Sequence, residues 1–192
     1  MALLPVHNYF VYNEQLLPVA QFVPSENEGG IYEVLRVVKG VPLFLEEHLA
    51  RFYHSAEIAK KKILFSPEQI HRSLISLIQK NRVFNGNILI SCKTNLKAFF
   101  IPHKYPTGEM FKNGVKCGIL KAERKHPNAK IFQTSVRERS NKLIEAKDYY
   151  EVLLVDHFGR ITEGSRSNVF FVKDDELITP PGNEVLRAGF NE

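Results

Sequence analysis

The chain has 192 residues, 44% of them apolar and 24% charged, with a net charge of +5. That length holds one ordinary domain or two small ones with a packed core, and the composition excludes disorder as the main state. No apolar run reaches the roughly 20 residues of a membrane helix, the start Met1-Ala2-Leu3-Leu4-Pro5 reads as no signal peptide, and two cysteines, Cys92 and Cys117, are too few for a disulfide scaffold. With no Cys/His cluster at zinc spacing either, the expectation is a soluble, cytoplasmic protein without a metal site.

The first clear element is 31–39 (IYEVLRVVK), a β-branched run that turns at Lys39-Gly40 into 41–45 and reads as a hairpin. Residues 46–61 follow with Leu49, Phe52, Ala56 and Ala59 at helical spacing, an amphipathic helix. Ser66-Pro67-Glu68-Gln69 is a helix start: Ser66 as N-cap, Pro67 in the first turn and Gln69 at the capping-box position, with Ile70, Leu74, Leu77 and Ile78 as the apolar face. Asn85-Gly86-Asn87 then precedes strands at 88–92 and 96–101. Two prolines and a glycine within Pro102-His103-Lys104-Tyr105-Pro106-Thr107-Gly108 mark a linker, dividing the chain into domains 1–103 and 109–192.

Beyond the linker, 114–120 reads as a strand, the stretch around 140–149 as a helix and 152–155 as a buried strand. Ile161-Thr162 resumes after a turn at His157-Phe158-Gly159, and 168–173 with 176–179 form a second hairpin around Asp174-Asp175. An α/β unit followed by a mainly β unit predicts two small domains with a cleft between them, a common place for a ligand. The basic balance has one tight cluster, Lys60-Lys61-Lys62, which reads as a solvated helix end. The 14 Phe and 7 Tyr lie mostly inside strand and helix patterns that need them as core, so neither a nucleic-acid nor a membrane partner is expected.

The segment most suited to chemistry is Glu163-Gly164-Ser165-Arg166-Ser167-Asn168-Val169-Phe170. It sets a carboxylate at a strand end beside the backbone N–H groups of a Gly/Ser turn, an arrangement able to hold a ligand; a polar loop with Glu163 in a surface salt bridge is the plain alternative. This run, with Leu177-Ile178-Thr179 after it, resembles the signature of class IV aminotransferases, the fold type IV pyridoxal-phosphate family that includes D-amino-acid and branched-chain aminotransferases and aminodeoxychorismate lyase. Gly30-Ile31-Tyr32-Glu33-Val34-Leu35-Arg36-Val37 and Leu45-Glu46-Glu47-His48-Leu49-Ala50-Arg51-Phe52 are similar to the family's N-terminal domain, in the same order.

The resemblance implies an α+β fold, a small N-terminal α/β domain plus an incomplete β-rich C-terminal domain, with pyridoxal 5'-phosphate as cofactor. Such a cofactor needs a lysine amine for its Schiff base, a carboxylate at the ring nitrogen and cations or donors for its phosphate. By resemblance the carboxylate is Glu163 and the phosphate-binding guanidinium is Arg51. The family places its lysine roughly 20 positions before the tyrosine that opens the strand leading to the glutamate, here Tyr150, which selects Lys130 as the catalytic lysine. Lys142 is the nearest competitor, but sits among Asn141, Glu145 and Lys147 on an exposed helix face, whereas Lys130 lies between Ala129 and Ile131-Phe132, an apolar setting that would lower an amine's proton affinity. Ser167 would reach the phosphate, Leu186 would pack under the ring, Tyr32 would face the substrate, and Asn168 would tie the turn together; Lys93 follows a strand where the D-amino-acid branch keeps a basic residue.

The implied activity is amino-group transfer on an amino acid or amino-bearing small molecule by a homodimer. The alternatives are lysis of aminodeoxychorismate to p-aminobenzoate and pyruvate, and a non-catalytic interaction module of the same fold. After Leu186 the family reads something like Gly-Ile-Thr-Arg, whereas this chain reads Arg187-Ala188-Gly189-Phe190-Asn191-Glu192. The expectation is therefore a truncated chain or minimal relative with an incomplete phosphate site, weak or absent in cofactor binding, and self-associating through uncovered apolar surface.

Overall fold

The computed structural model describes residues 3–24, 30–124, 129–132 and 134–181. The chain forms two compact units, Met1–Lys104 with Lys130–Phe132, and Tyr105–Ala129 with Gln133–Glu192. The chain passes from the first unit to the second between Lys104 and Tyr105 and returns once to the first at 130–132.

The first unit is a six-stranded antiparallel sheet with two helices. Its strands are β1 (Tyr9–Tyr12), β2 (Gln15–Pro18), β3 (Ile31–Val38), β4 (Val41–Pro42), β5 (Gly86–Cys92) and β6 (Leu96–Ile101), in the order β2-β1-β6-β5-β3-β4. Successive side chains of a strand point to opposite faces. Ile31, Leu35 and Val37 of β3 therefore join Ile88, Ile90 and Phe100 in the larger core, while Tyr32 and Val34 join Phe10, Leu89 and Phe99 in a second cluster on the other face. Helix α1 (Leu45–Ile58) and helix α2 (Pro67–Asn81) lay Leu49, Phe52, Ala56, Leu74 and Leu77 on the larger core. Glu33 shares its parity with Ile31 and Leu35, so its carboxylate is carried into the apolar layer that α1 covers.

Local rules account for the ends of these elements. Ser66 accepts from the Gln69 backbone while the Gln69 side chain accepts from the Ser66 backbone, the reciprocal cap expected at α2. α1 stops earlier than its apolar spacing suggests, because Lys60 adopts a left-handed conformation and Lys61 N–H bonds back to Ala56. β4 pairs only with Val37 and Val38, which leaves the start of β3 open along that edge. Residues 130–132 pair there: Ile131 bridges Ile31, Tyr32 N–H donates to the Lys130 carbonyl, and Phe132 N–H to that of Gly30.

The second unit has helix α3 (Gly108–Asn113), strand β7 (Cys117–Lys121), helix α4 (Thr134–Lys147), strands β8 (Glu151–Val155) and β9 (Ile161–Gly164), and a hairpin of β10 (Phe171–Lys173) and β11 (Glu176–Ile178). β7 and β8 run parallel with α4 as their crossover, and β9 returns antiparallel to β8. The expected linker end at Thr107-Gly108 is instead the start of α3, where Thr107 Oγ1 accepts from the Met110 backbone. That helix and Gly114 displace the strand predicted at 114–120 to β7. α4 begins earlier than the predicted 140–149, with Val136 of its mostly polar first turn buried one turn before Ser140. Asp174 and Asp175, both at positive φ, make the two-residue turn of the β10–β11 hairpin. No described helix is long and apolar enough to cross a membrane.

Candidate functional site

Residues three apart on a helix share a face, and α1 turns His48 and Arg51 toward β3. There Glu33, 0% exposed, receives Arg51 Nε on Oε1 at 2.6 Å and Arg51 Nη2 on Oε2 at 2.8 Å, a two-point grip. His48 Nδ1 lies 2.8 Å from Oε2. Since a carboxylate has no proton to give, that ring nitrogen carries the hydrogen. Lys130 Nζ reaches the same oxygen at 3.1 Å. Burial pushes the Glu33 carboxyl up, but the hydrogen bonds from Arg51 and His48 and the charges of Lys130 and Arg51 outweigh it and lower the pKa to about 2. Glu33 is thus an anion at neutral pH inside an apolar layer.

Arg51 and Lys130, both expected in the site, come together through a residue that sequence reasoning passes over. Lys130's neighbours in sequence are apolar, yet its amine meets an ion-pair cluster and the face of Tyr32, 5.6 Å from the ring centroid. Its backbone is fixed separately: Lys130 N–H donates to Ser55 Oγ at 3.0 Å, and Ser55 in turn donates to the Arg51 carbonyl. Tyr32, expected to face a substrate, is 6% exposed and stacks on Phe132 with centroids 4.1 Å apart. Lys142 lies on α4, and Lys93 is exposed between β5 and β6.

The second unit holds the remaining described residues of the set. Glu163, 4% exposed near the end of β9, receives Arg124 Nε at 3.0 Å, and Arg124 Nη2 donates to the Ser165 carbonyl at 2.7 Å. The turn after β9 is organised by Glu151, a residue not singled out from the sequence. Its carboxylate accepts from Ser165 Oγ at 2.6 Å, Ser167 Oγ at 2.8 Å and the Arg166 backbone at 3.2 Å. Glu151, not Asn168, is therefore the side chain that ties the turn, and the Ser167 hydroxyl is directed at it. Gly164 is required here: its N–H donates to the Ser167 carbonyl, and an added Cβ would collide with Ser167 Oγ. Leu186, and the closing segment with Gly189, lie outside the described residues.

The donor set fits pyridoxal phosphate in kind. Lys130 offers an amine with 13% of its side chain exposed, Arg51 a guanidinium, and Glu163 a buried carboxylate paired with Arg124. No group of three or more His, Cys, Asp or Glu able to hold a metal occurs among the described residues.

The sequence profile of the amino-transferase class IV family matches residues 30–189. The chain belongs to that family. A Rickettsia bellii protein named "Probable branched-chain-amino-acid aminotransferase" is 29% identical over 178 residues, covering 82% of this chain and 61% of its own length. The D-alanine aminotransferase of Bacillus licheniformis is 25% identical over 181 residues, covering 83% of this chain and 62% of itself. Among solved structures, the branched-chain amino acid aminotransferase of Thermobaculum terrenum in its PLP-bound holo form superposes with a TM-score of 0.75 at 15% identity, over 96% of this chain and 70% of that one. This class IV aminotransferase chain thus has the fold type IV architecture, and it spans about three fifths of the length of the curated relatives it matches.

Proposed function

We propose that the chain carries a pyridoxal-phosphate-dependent amino-group transfer, from an amino acid to a keto acid. The observation that carries the reading is the convergence of Lys130 and Arg51 on buried Glu33, within a chain whose family membership is shown. The relatives' names support amino-acid donors and do not favour the lyase alternative. When bound, the cofactor supplies an electron sink that makes the α-carbon of an amino acid acidic.

The chain's own residues would do the rest. The Lys130 amine would hold the cofactor covalently and, once released, move a proton at Nζ. Arg51 would set positive charge against the phosphate, with Ser167 beside it and Leu186 under the ring. Glu163 would supply a negative charge to the ring nitrogen, favouring its protonated form. Tyr32 would border the substrate through its hydroxyl edge. We place the enzyme in the cytoplasm as a homodimer, in keeping with the absence of a membrane-crossing helix among the described residues and with Phe171, Val172, Leu177 and Ile178 exposed on both strands of the last hairpin.

The test is turnover. With excess cofactor the purified protein should develop a visible absorption band, however weak, and convert a branched-chain amino acid or D-alanine plus 2-oxoglutarate into the matching keto acid and glutamate. Lys130→Ala should abolish both. Pyruvate released from aminodeoxychorismate without transamination would move the assignment to the lyase, and a full-strength band in Lys130→Ala would reject Lys130.

A further inference from the structure

Glu33 presents an uneven distribution of donors. Oε1 takes Arg51 Nε, while Oε2 takes Arg51 Nη2, His48 Nδ1 and Lys130 Nζ. Each carboxylate oxygen has about two acceptor positions, so Oε2 carries more donors than it has positions, and the lysine contact at 3.1 Å is the longest of the set. Removing the lysine leaves three donors and the full charge of Arg51. Removing the arginine leaves a buried anion with no partner on Oε1.

Lys130 is also held in two independent ways. Its backbone is anchored by Ser55 Oγ and by pairing with Tyr32, neither of which involves the amine. The side chain can therefore turn about its own bonds while the strand segment stays in place. We infer that Glu33 is a positioning residue that docks the Lys130 amine as an exchangeable donor. Arg51 and His48 hold the carboxylate, so Lys130 can leave it without orphaning a buried charge. This deepens the proposed function, since a lysine that must bond to a cofactor and later carry a proton has to exchange partners at little cost. It adds a role for Glu33, which acts through the Lys130 amine, and for His48, which acts through Glu33.

Two measurements test it on the full chain. In the first, Lys130 is followed by peptide mass spectrometry during reductive methylation with formaldehyde and cyanoborohydride. An amine docked on a carboxylate is held back from the aldehyde, and one released from it is free to attack. Glu33→Gln should therefore raise the Lys130 rate by about fivefold or more, and Glu33→Asp should stay within about twofold of the parent. An unchanged rate in Glu33→Gln overturns the inference.

The second measurement stands even where Glu33→Gln fails to fold. Lys130→Ala should melt within about 3 °C of the parent, whereas Arg51→Ala should melt about 10 °C lower or fail to fold. Equal losses from the two variants overturn the inference. Failure of the functional reading is distinguishable: pyridoxal phosphate reduced onto other lysines would remove Lys130 from catalysis, while these two measurements would still decide what Glu33 does.

Discussion

The two units bury their key carboxylates in opposite ways. Glu33 is surrounded by charge gathered from two stretches of chain remote from β3 in sequence: α1 and the returning segment at 130–132. Glu151 is surrounded by hydroxyl and amide groups of one tight turn, all within sixteen positions of it. A charge-matched carboxylate is fixed strongly but depends on tertiary structure, because loss of its two-point arginine leaves an under-compensated anion in an apolar layer. A carboxylate held by neutral donors loses one modest bond at a time. Tolerance to substitution should therefore differ sharply between the two.

The largest effect should come from Arg51→Ala, which leaves Glu33 buried with only His48 and Lys130 and should cost about 3–5 kcal/mol in urea unfolding. A cost near that of a surface substitution would dissolve the contrast. Next is acid. The Glu33 carboxyl sits at about 2 when folded, against 4.5 for an unperturbed glutamate. A depressed value means that its contribution is complete above pH 4.5, where both states are ionised, and is lost as pH falls toward 2. The amount is roughly 3 kcal/mol. Glu33→Gln should flatten that part of a stability-against-pH curve, and an identical curve for both proteins would count against the burial argument.

Gly164→Ala should cost about 1–3 kcal/mol, because its Cβ must displace the Ser167 hydroxyl from Glu151. The smallest effect belongs to Ser167→Ala, which removes a single hydroxyl donor and should cost about 1 kcal/mol. Thermal melts of the pair sharpen the comparison: Gly164→Ala should exceed Ser167→Ala, and both should fall short of Arg51→Ala.

What is legible in the sequence is whatever its neighbours along the chain decide. The cap at Ser66 and the turn at Asp174-Asp175 are local, and each follows from residue types alone. The β1–β2 hairpin is not legible, because Asn13 and Glu14 adopt positive φ without a glycine to announce it. The return of 130–132 to the edge of β3 has no local signal, being set by how little of that edge β4 covers.

The site shows the same division. Arg51, Lys130 and Glu163 come from family resemblance, whereas Glu33 and Glu151 stand in the sequence only as strand residues. Glu33 does carry a signal. It is a charged residue on the face of β3 that also holds Ile31, Leu35 and Val37, and a buried anion demands cations nearby. His48 and Arg51, one helical turn apart in the next helix, are the groups that answer that demand. The serines of the turn after β9 give no comparable pointer to Glu151, since hydroxyl groups are satisfied as readily by water.

The measurement closest to the central claim is a peptide map of the protein after incubation with pyridoxal phosphate and borohydride reduction. The account predicts the reduced cofactor on the peptide that contains Lys130, in preference to Lys142 and to the Lys60-Lys61-Lys62 cluster. Labelling spread over those other lysines, with Lys130 unmodified, would contradict it.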